Sequence, residues 1–63
     1  MCLSTAYYES KDENNVAARY VSEIRINGKE ITLTDVMGME IKIEGSLTYV
    51  DLTGGTVLIH TEE

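Results

Sequence analysis

The sequence predicts an all-β fold, in the form of a small antiparallel barrel or rolled sheet. Val, Ile and Thr make up 18 of the 63 residues, whereas Ala contributes 3 and Pro none. β-Branched side chains favour the pleated, half-buried surface of a strand, and the absence of proline leaves every strand able to donate its ladder hydrogen bonds. Apolar residues recur with period two and not with a helical period, so we expect one domain over residues 1–63.

The first half of the chain is expected to contain three strands. The first runs over Cys2–Tyr8 and is followed by a polar, solvated loop at 9–15. Val16–Ile26 is expected as one long, bent strand. Asn27-Gly28 then favours the positive φ angles of a tight hairpin turn, and residues 31–34 alternate Ile-Thr-Leu-Thr in a half-buried return strand.

The second half repeats this pattern of strands and turns. Three further strands are predicted, over 40–44, 47–52 and 57–59, with turns around Gly38 and at Gly54-Gly55. Gly45 is expected to end the first of them, because glycine weakens a strand interior. Six short strands favour an SH3-like barrel, since a flat sheet of this size would leave one face wet and two edges unpaired.

Size and charge limit the possible functions. A chain of 63 residues with one cysteine has no internal disulfide, so a metal, a partner chain or an efficient core must stabilise it. Eleven acidic against five scattered basic residues give a net charge of −6, which disfavours nucleic-acid binding. No apolar run approaches a membrane span and no signal peptide is expected, so we predict a cytoplasmic protein away from membranes.

Cys2 is the residue whose position suggests metal binding. We expect removal of Met1, because aminopeptidases act before small second residues, and the cysteine amine and thiolate would then chelate a metal. This donor set suits borderline ions such as Ni(II), Zn(II) or copper. Two termini meeting across a dimer axis would complete a four-coordinate N/S site that favours Ni(II), since Zn(II) prefers a tetrahedron. The alternative is that Cys2 is a small apolar residue in an edge strand.

The other polar residues give weaker indications of a metal site or a catalytic site. His60, the only histidine, is a possible ligand, but a surface position at the end of the last strand is the simpler interpretation. Glu9, Asp12 and Glu13 share the polar loop, where the lack of glycine argues against a calcium site. No nucleophile with its base and no phosphate loop stands out, so an enzyme is not expected.

Several segments together resemble the CooT family. They are Met1-Cys2-Leu3-Ser4, Val21–Ile24, the hairpin Asn27–Leu33, Asp35–Glu40, and Val50–Leu52 followed by Val57–Ile59. The resemblance spans essentially the whole chain and implies an SH3-like barrel that dimerises. The best-understood members are nickel-binding accessory proteins for carbon monoxide dehydrogenase maturation, in which the cysteine at position 2 binds one nickel shared by two chains. This residue is present here as Cys2, and no other ligand side chain carries over.

We therefore expect a homodimer that holds Ni(II) through Cys2 and hands it to a nickel enzyme such as carbon monoxide dehydrogenase. The first alternative is a small RNA-binding barrel, a label that family members often carry, using Tyr7, Tyr8 or Tyr20 with nearby arginines. The charge gives that label no support, and we expect the tyrosines to serve the core and a dimer interface. The second alternative is an interaction module that pairs through an exposed strand edge.

Overall fold

The computed structural model describes residues 3–61 as a closed barrel. Its strands are β1 (Ser4–Tyr8), β2 (Val16–Asn27), β3 (Glu30–Asp35), β4 (Glu40–Asp51) and β5 (Thr56–Thr61), with a 3-10 turn at Glu13–Asn15. They are hydrogen bonded in the order β1-β2-β3-β4-β5, and the ring closes between β5 and β1. This last pair is parallel, whereas the others are antiparallel. The predicted all-β rolled sheet is confirmed, and its form is compatible with an SH3-like barrel.

The ring closes with five strands because the two longest, β2 and β4, pair with a different neighbour along each half of their length. The first part of β2 pairs with β1 and the second part pairs with β3, and Val21 is opposite Ser4 on one side and Asp35 on the other. In the same way, residues 40–44 of β4 pair with β3 and residues 45–51 pair with β5. A strand that changes partner along its length has to bend where the change occurs. The predicted bend within Val16–Ile26 is therefore confirmed.

Gly45 is the point at which β4 bends, and the prediction that it ends a strand is wrong. Residues 40–51 form one strand, which replaces the predicted pair at 40–44 and 47–52 and gives five strands instead of six. The Gly45 amide donates to the Lys29 carbonyl over 2.8 Å. A Cβ atom here would collide with the carbonyl oxygen of His60 and lie 3.1 Å from the Thr61 Cα. The glycine is needed because β5 approaches β4 too closely for a side chain.

A bulge at Tyr20 produces the corresponding bend in β2. Tyr20 has a φ of 57°, which is unusual for a residue with a side chain. The register shifts on both sides of it, as expected for a β-bulge. The amide of Val36 donates to the Tyr20 carbonyl over 3.1 Å, so the turn after β3 holds the bulge in place.

The core lies inside the ring and takes a side chain from every strand. It consists of Ala6, Val21, Ile31, Leu33, Ile43, Val57 and Ile59, with Tyr8, Ala17, Ala18, Ile24 and Leu47 packed against it. Burial of such aliphatic side chains stabilises the fold by about 25 cal/mol for each Å² removed from water. The interior is small, and ten large apolar side chains of the described residues stay exposed.

We predict that Gly45→Ala destabilises the protein by at least about 2 kcal/mol, in the range of forced overpacking. The new methyl group would meet backbone atoms of β5, which cannot rotate away. Urea unfolding followed by circular dichroism measures the loss. Ser46→Ala, at the neighbouring exposed position, is the control and should change stability by less than about 0.5 kcal/mol. Equal stability of the two variants would contradict this explanation of the bend.

Candidate functional site

Cys2, the predicted metal ligand, lies outside the described residues. The residue bonded to it, Leu3, lies beside the turn between β4 and β5. A Cβ atom on Gly55 would be 3.0 Å from the Leu3 carbonyl oxygen, and the Thr5 amide donates to the Gly55 carbonyl over 2.9 Å. The chain therefore enters the barrel where β5 begins.

His60 lies at the opposite end of β5. The parallel register places Thr5 opposite Thr56 and Tyr8 opposite Ile59, so β1 and β5 begin together and end together. From Thr56 to His60 a strand rises roughly 13 Å. Within one chain, the structure does not bring His60 to the end of the barrel that holds Leu3. As expected, the histidine is a surface residue, with about half of its side chain exposed.

Glu9 joins the ends of β1 and β5, a role that the sequence pattern did not reveal. Its Oε1 lies 3.0 Å from Nδ1 of His60, and its Oε2 accepts from the Thr61 amide over 3.1 Å. The Glu9 amide also donates to the Ile59 carbonyl over 2.8 Å. The hydrogen bond from His60, followed by that from the Thr61 amide, lowers the pKa of Glu9 below its usual value. This carboxylate fastens the final strand to the first.

The carboxylates of Asp35 and Asp51 accept hydrogen bonds from the backbone amides of turns. Asp35 Oδ1 accepts from the amides of Met37 and Met39 over 2.8 and 3.0 Å. Asp51 Oδ1 accepts in the same way from the amides of Thr53 and Gly54, over 3.1 and 2.9 Å. Such contacts fix the turn backbone. Among residues 3–61, no group of three or more His, Cys, Asp or Glu side chains is placed to hold a metal ion.

Most of the residues named for an RNA-binding face are buried, partly buried or paired with acidic side chains. Tyr7 is buried and Tyr8 packs against the core, which confirms their predicted structural role, whereas Tyr20 is exposed. Arg19 lies 3.3 Å from Glu13, and Arg25 lies 2.7 Å from Glu40. A stacking surface needs exposed aromatic residues beside unpaired positive charge, and the described residues offer one exposed tyrosine of the three.

The strand edges of the barrel are occupied in part. The closed ring gives every described strand a hydrogen-bonded neighbour on both sides over at least part of its length. Each half of β2 and of β4 has a neighbour on one side alone, so a partner strand that adds to a free edge could pair with these parts of the described chain. In residues 3–61 no helix has the length and apolar character needed to cross a bilayer.

Comparisons with known proteins indicate where the chain belongs. The family described as "CO dehydrogenase accessory protein CooT" matches residues 1–60. The crystal structure of a protein assigned as CooT from Carboxydothermus hydrogenoformans is similar over 98% of this chain and 100% of that chain, with a TM-score of 0.84 and 16% sequence identity. At that identity the similarity shows the fold. No curated protein matches the sequence.

We predict that Glu9→Gln removes a pH-dependent part of the stability. The folded state lowers the pKa of Glu9, so its stabilising effect is fully present above the ordinary glutamate pKa of about 4.3. That effect is lost as the pH falls through the lower pKa of the folded state. In urea unfolding from about pH 7 down to about pH 3, wild type should be more stable than the variant at neutral pH, and this difference should vanish in acid.

Glu13→Gln, in the same exposed loop, is the control for the general effect of removing a negative charge. Its carboxylate faces Arg19 and makes no described contact with β5. A stability difference for Glu9→Gln that is constant with pH, or equal to that of Glu13→Gln, would show that Glu9 does not fasten the two strands.

Proposed function

This chain belongs to the CooT family of CO dehydrogenase accessory proteins, and from that premise we propose that it binds Ni(II) through Cys2 and supplies it to a nickel enzyme. One ion would be shared by the Cys2 residues of two chains. An accessory protein of this kind is not itself a catalytic enzyme, in agreement with the sequence prediction. The client would be carbon monoxide dehydrogenase or a related nickel enzyme, in the reducing cytoplasm where a free thiol persists.

Cys2 is the observation that carries this proposal. It is the chain's one cysteine, and it stands at position 2 of a sequence matched to the family over residues 1–60. A thiolate is the softest donor that the chain offers, and it is accepted by nickel, zinc and copper. The described part of one chain supplies no cluster of donors. In the proposed site, the termini of two chains together supply the four donors.

The position of the terminus suits transfer of the ion. Leu3 is exposed at one end of the barrel, so a partner enzyme could approach the residue before it without any opening of the core. A site at the chain terminus, bound to the barrel by one peptide bond, allows the ligands of a partner to replace its own donors one at a time. Release of the metal then leaves the fold intact, because the core is formed by aliphatic side chains.

We predict that untagged protein saturates at one Ni(II) per two chains, with thiolate-to-nickel charge-transfer absorption. Cys2→Ser should lose this binding and keep the circular dichroism spectrum of wild type, because among the described residues the buried core begins at Ala6. His60→Ala is the matched control and should bind nickel as wild type does, since His60 lies at the far end of β5. Unchanged affinity in Cys2→Ser would reject Cys2 as the ligand.

We also predict that an extension at the N-terminus weakens nickel binding. An extension converts the amine of residue 2 into an amide and so removes one proposed donor. The comparison is between the same tag at the N-terminus and at the C-terminus, with the mass of each protein measured to establish whether Met1 is present. Equal affinity of the two tagged proteins would indicate that the thiolate acts with donors other than the terminal amine.

A further inference from the structure

The first half of β4 leaves one of its sides unpaired, next to a cleft that leads toward the core. Residues 40–44 pair with β3 on one side, and β5 pairs with residues 45–51 instead of covering their other side. We call this unpaired side of residues 40–44 the β4 edge. We infer that the β4 edge binds an extended segment of another protein, in which an acidic residue faces Lys42 and an apolar side chain enters the cleft. The inference goes beyond the proposed function and does not depend on nickel binding.

The backbone of the β4 edge offers hydrogen-bonding groups to a partner strand. The Asp35 amide donates to the Met39 carbonyl, and the Gly45 amide donates to the Lys29 carbonyl. Because hydrogen-bonded and non-hydrogen-bonded pairs alternate along an antiparallel ladder, the odd-numbered residues of this segment direct their amides and carbonyls toward β3. The even-numbered residues from 40 to 44 therefore direct theirs outward. An extended peptide that adds to a sheet binds groups of this kind.

The inner side of the same segment is incompletely covered. Successive side chains of a strand point to opposite faces, so Ile41 and Ile43 face inward between charged residues. Ile43 is 8% exposed, as expected of an inward position, but Ile41 is 39% exposed. Leu33, which is opposite Ile41 on β3, is 1% exposed. An apolar side chain placed beside Ile41 would therefore be removed from water.

A cleft of about 230 Å³ lies next to Ile41. Ala17 and Ala18 of β2 line it, together with Met39 and Leu33. The chain has three alanines, and the two in this cleft stand where larger side chains would fill the space. An apolar cavity of about 150 Å³ accepts a molecule of benzene, so this cleft is large enough to receive an aliphatic side chain of a partner.

The charges on the outer side of β4 indicate which segment fits. Glu40 is engaged by Arg25 over 2.7 Å, whereas Lys42 and Glu44 form no ion pair within residues 3–61. Glu44 is moreover opposite Glu30, which carries a like charge. Opposite charges on neighbouring strands stabilise a pair and like charges destabilise it. An added strand therefore fits best with an acidic residue opposite Lys42 and a basic residue opposite Glu44.

These requirements define a short sequence pattern for the partner. An antiparallel segment, read from its N-terminal end, is basic, apolar, acidic and apolar opposite residues 44 to 41. Its second apolar side chain enters the cleft. A second copy of the β4 edge does not match this pattern, because the antiparallel alignment that pairs all five residues places Lys42 opposite Lys42 and Glu40 opposite Glu44. The segment therefore belongs to a different protein.

Fluorescence anisotropy with a synthetic peptide tests the charge pattern. The probe is Lys-Val-Glu-Leu-Thr, blocked at both ends and labelled at its C-terminal end, and wild type should bind it saturably below about 1 mM. Lys42→Glu should weaken this binding by about tenfold or more and should bind a second peptide, in which lysine replaces the glutamate, as wild type binds the first. Lys11→Glu is the matched control, because it makes the same charge change in the exposed loop before β2. It should bind the first peptide unchanged.

A change in the peptide tests the cleft without altering the protein. Serine in place of the leucine removes the side chain expected beside Ile41, and binding should weaken by about tenfold. The control peptide has serine in place of the terminal threonine, which lies outside the cleft, and it should bind as the parent does. Lys42→Gln is a second protein variant that removes the charge without reversing it. Its loss should be smaller than that of Lys42→Glu.

The outcomes decide for or against the β4 edge. Recovery of binding by Lys42→Glu with the lysine peptide, together with the loss caused by serine in place of leucine, supports the inference. It is overturned if wild type does not bind the probe at about 1 mM, or if Lys11→Glu weakens binding as much as Lys42→Glu. It is also overturned if sedimentation shows a wild-type dimer that Lys42→Glu dissociates, which would assign the edge to a second copy. Nickel binding by Lys42→Glu should equal that of wild type, so the proposed function is tested separately.

Discussion

To close a barrel with five strands, β2 and β4 must each bend and pair with a different neighbour along each half. The fold depends on how the sequence allows these two bends. Gly45 allows β4 to bend because the missing side chain lets the β5 backbone pass against it. The bulge at Tyr20 performs the corresponding task in β2. Each bend lets one strand complete two pairings, so the ring closes around a core that 63 residues can fill. Without these bends the same sequence would form a flatter sheet with free edges.

Much of this fold could be predicted from local patterns, because strands and turns leave local signals. The Asn27-Gly28 turn is an example, since Gly28 adopts the positive φ that such a hairpin needs. The prediction for Gly45 was wrong because a glycine that ends a strand and a glycine that allows close approach have the same sequence signature. What distinguishes them is the position of β5, which begins eleven residues later, at Thr56. Distances of that kind are set by the closed ring and leave no local pattern.

In the candidate site, too, some residues have a local sequence signal and others do not. Cys2 could be singled out from its chemistry and position alone, because a thiol beside a terminal amine offers two metal donors on one residue. The role of Glu9 could not be predicted from the sequence. Glu9 is 51 residues from His60 in the sequence, and its pattern is that of any acidic residue in a polar loop. Tyr20 was expected at an interface or in the core, and the structure leaves it exposed.

The parallel pairing of β1 with β5 has a consequence for the order of events during synthesis. Thr5 pairs with Thr56, so the contact that closes the ring joins nearly the two extremes of the chain. Contacts of such long range are the slowest to form, because the entropy of closing the intervening loop opposes them. On the ribosome, β1 emerges first and its neighbour β5 emerges last. The strand next to the candidate metal ligand thus keeps one open edge until β5 has been made.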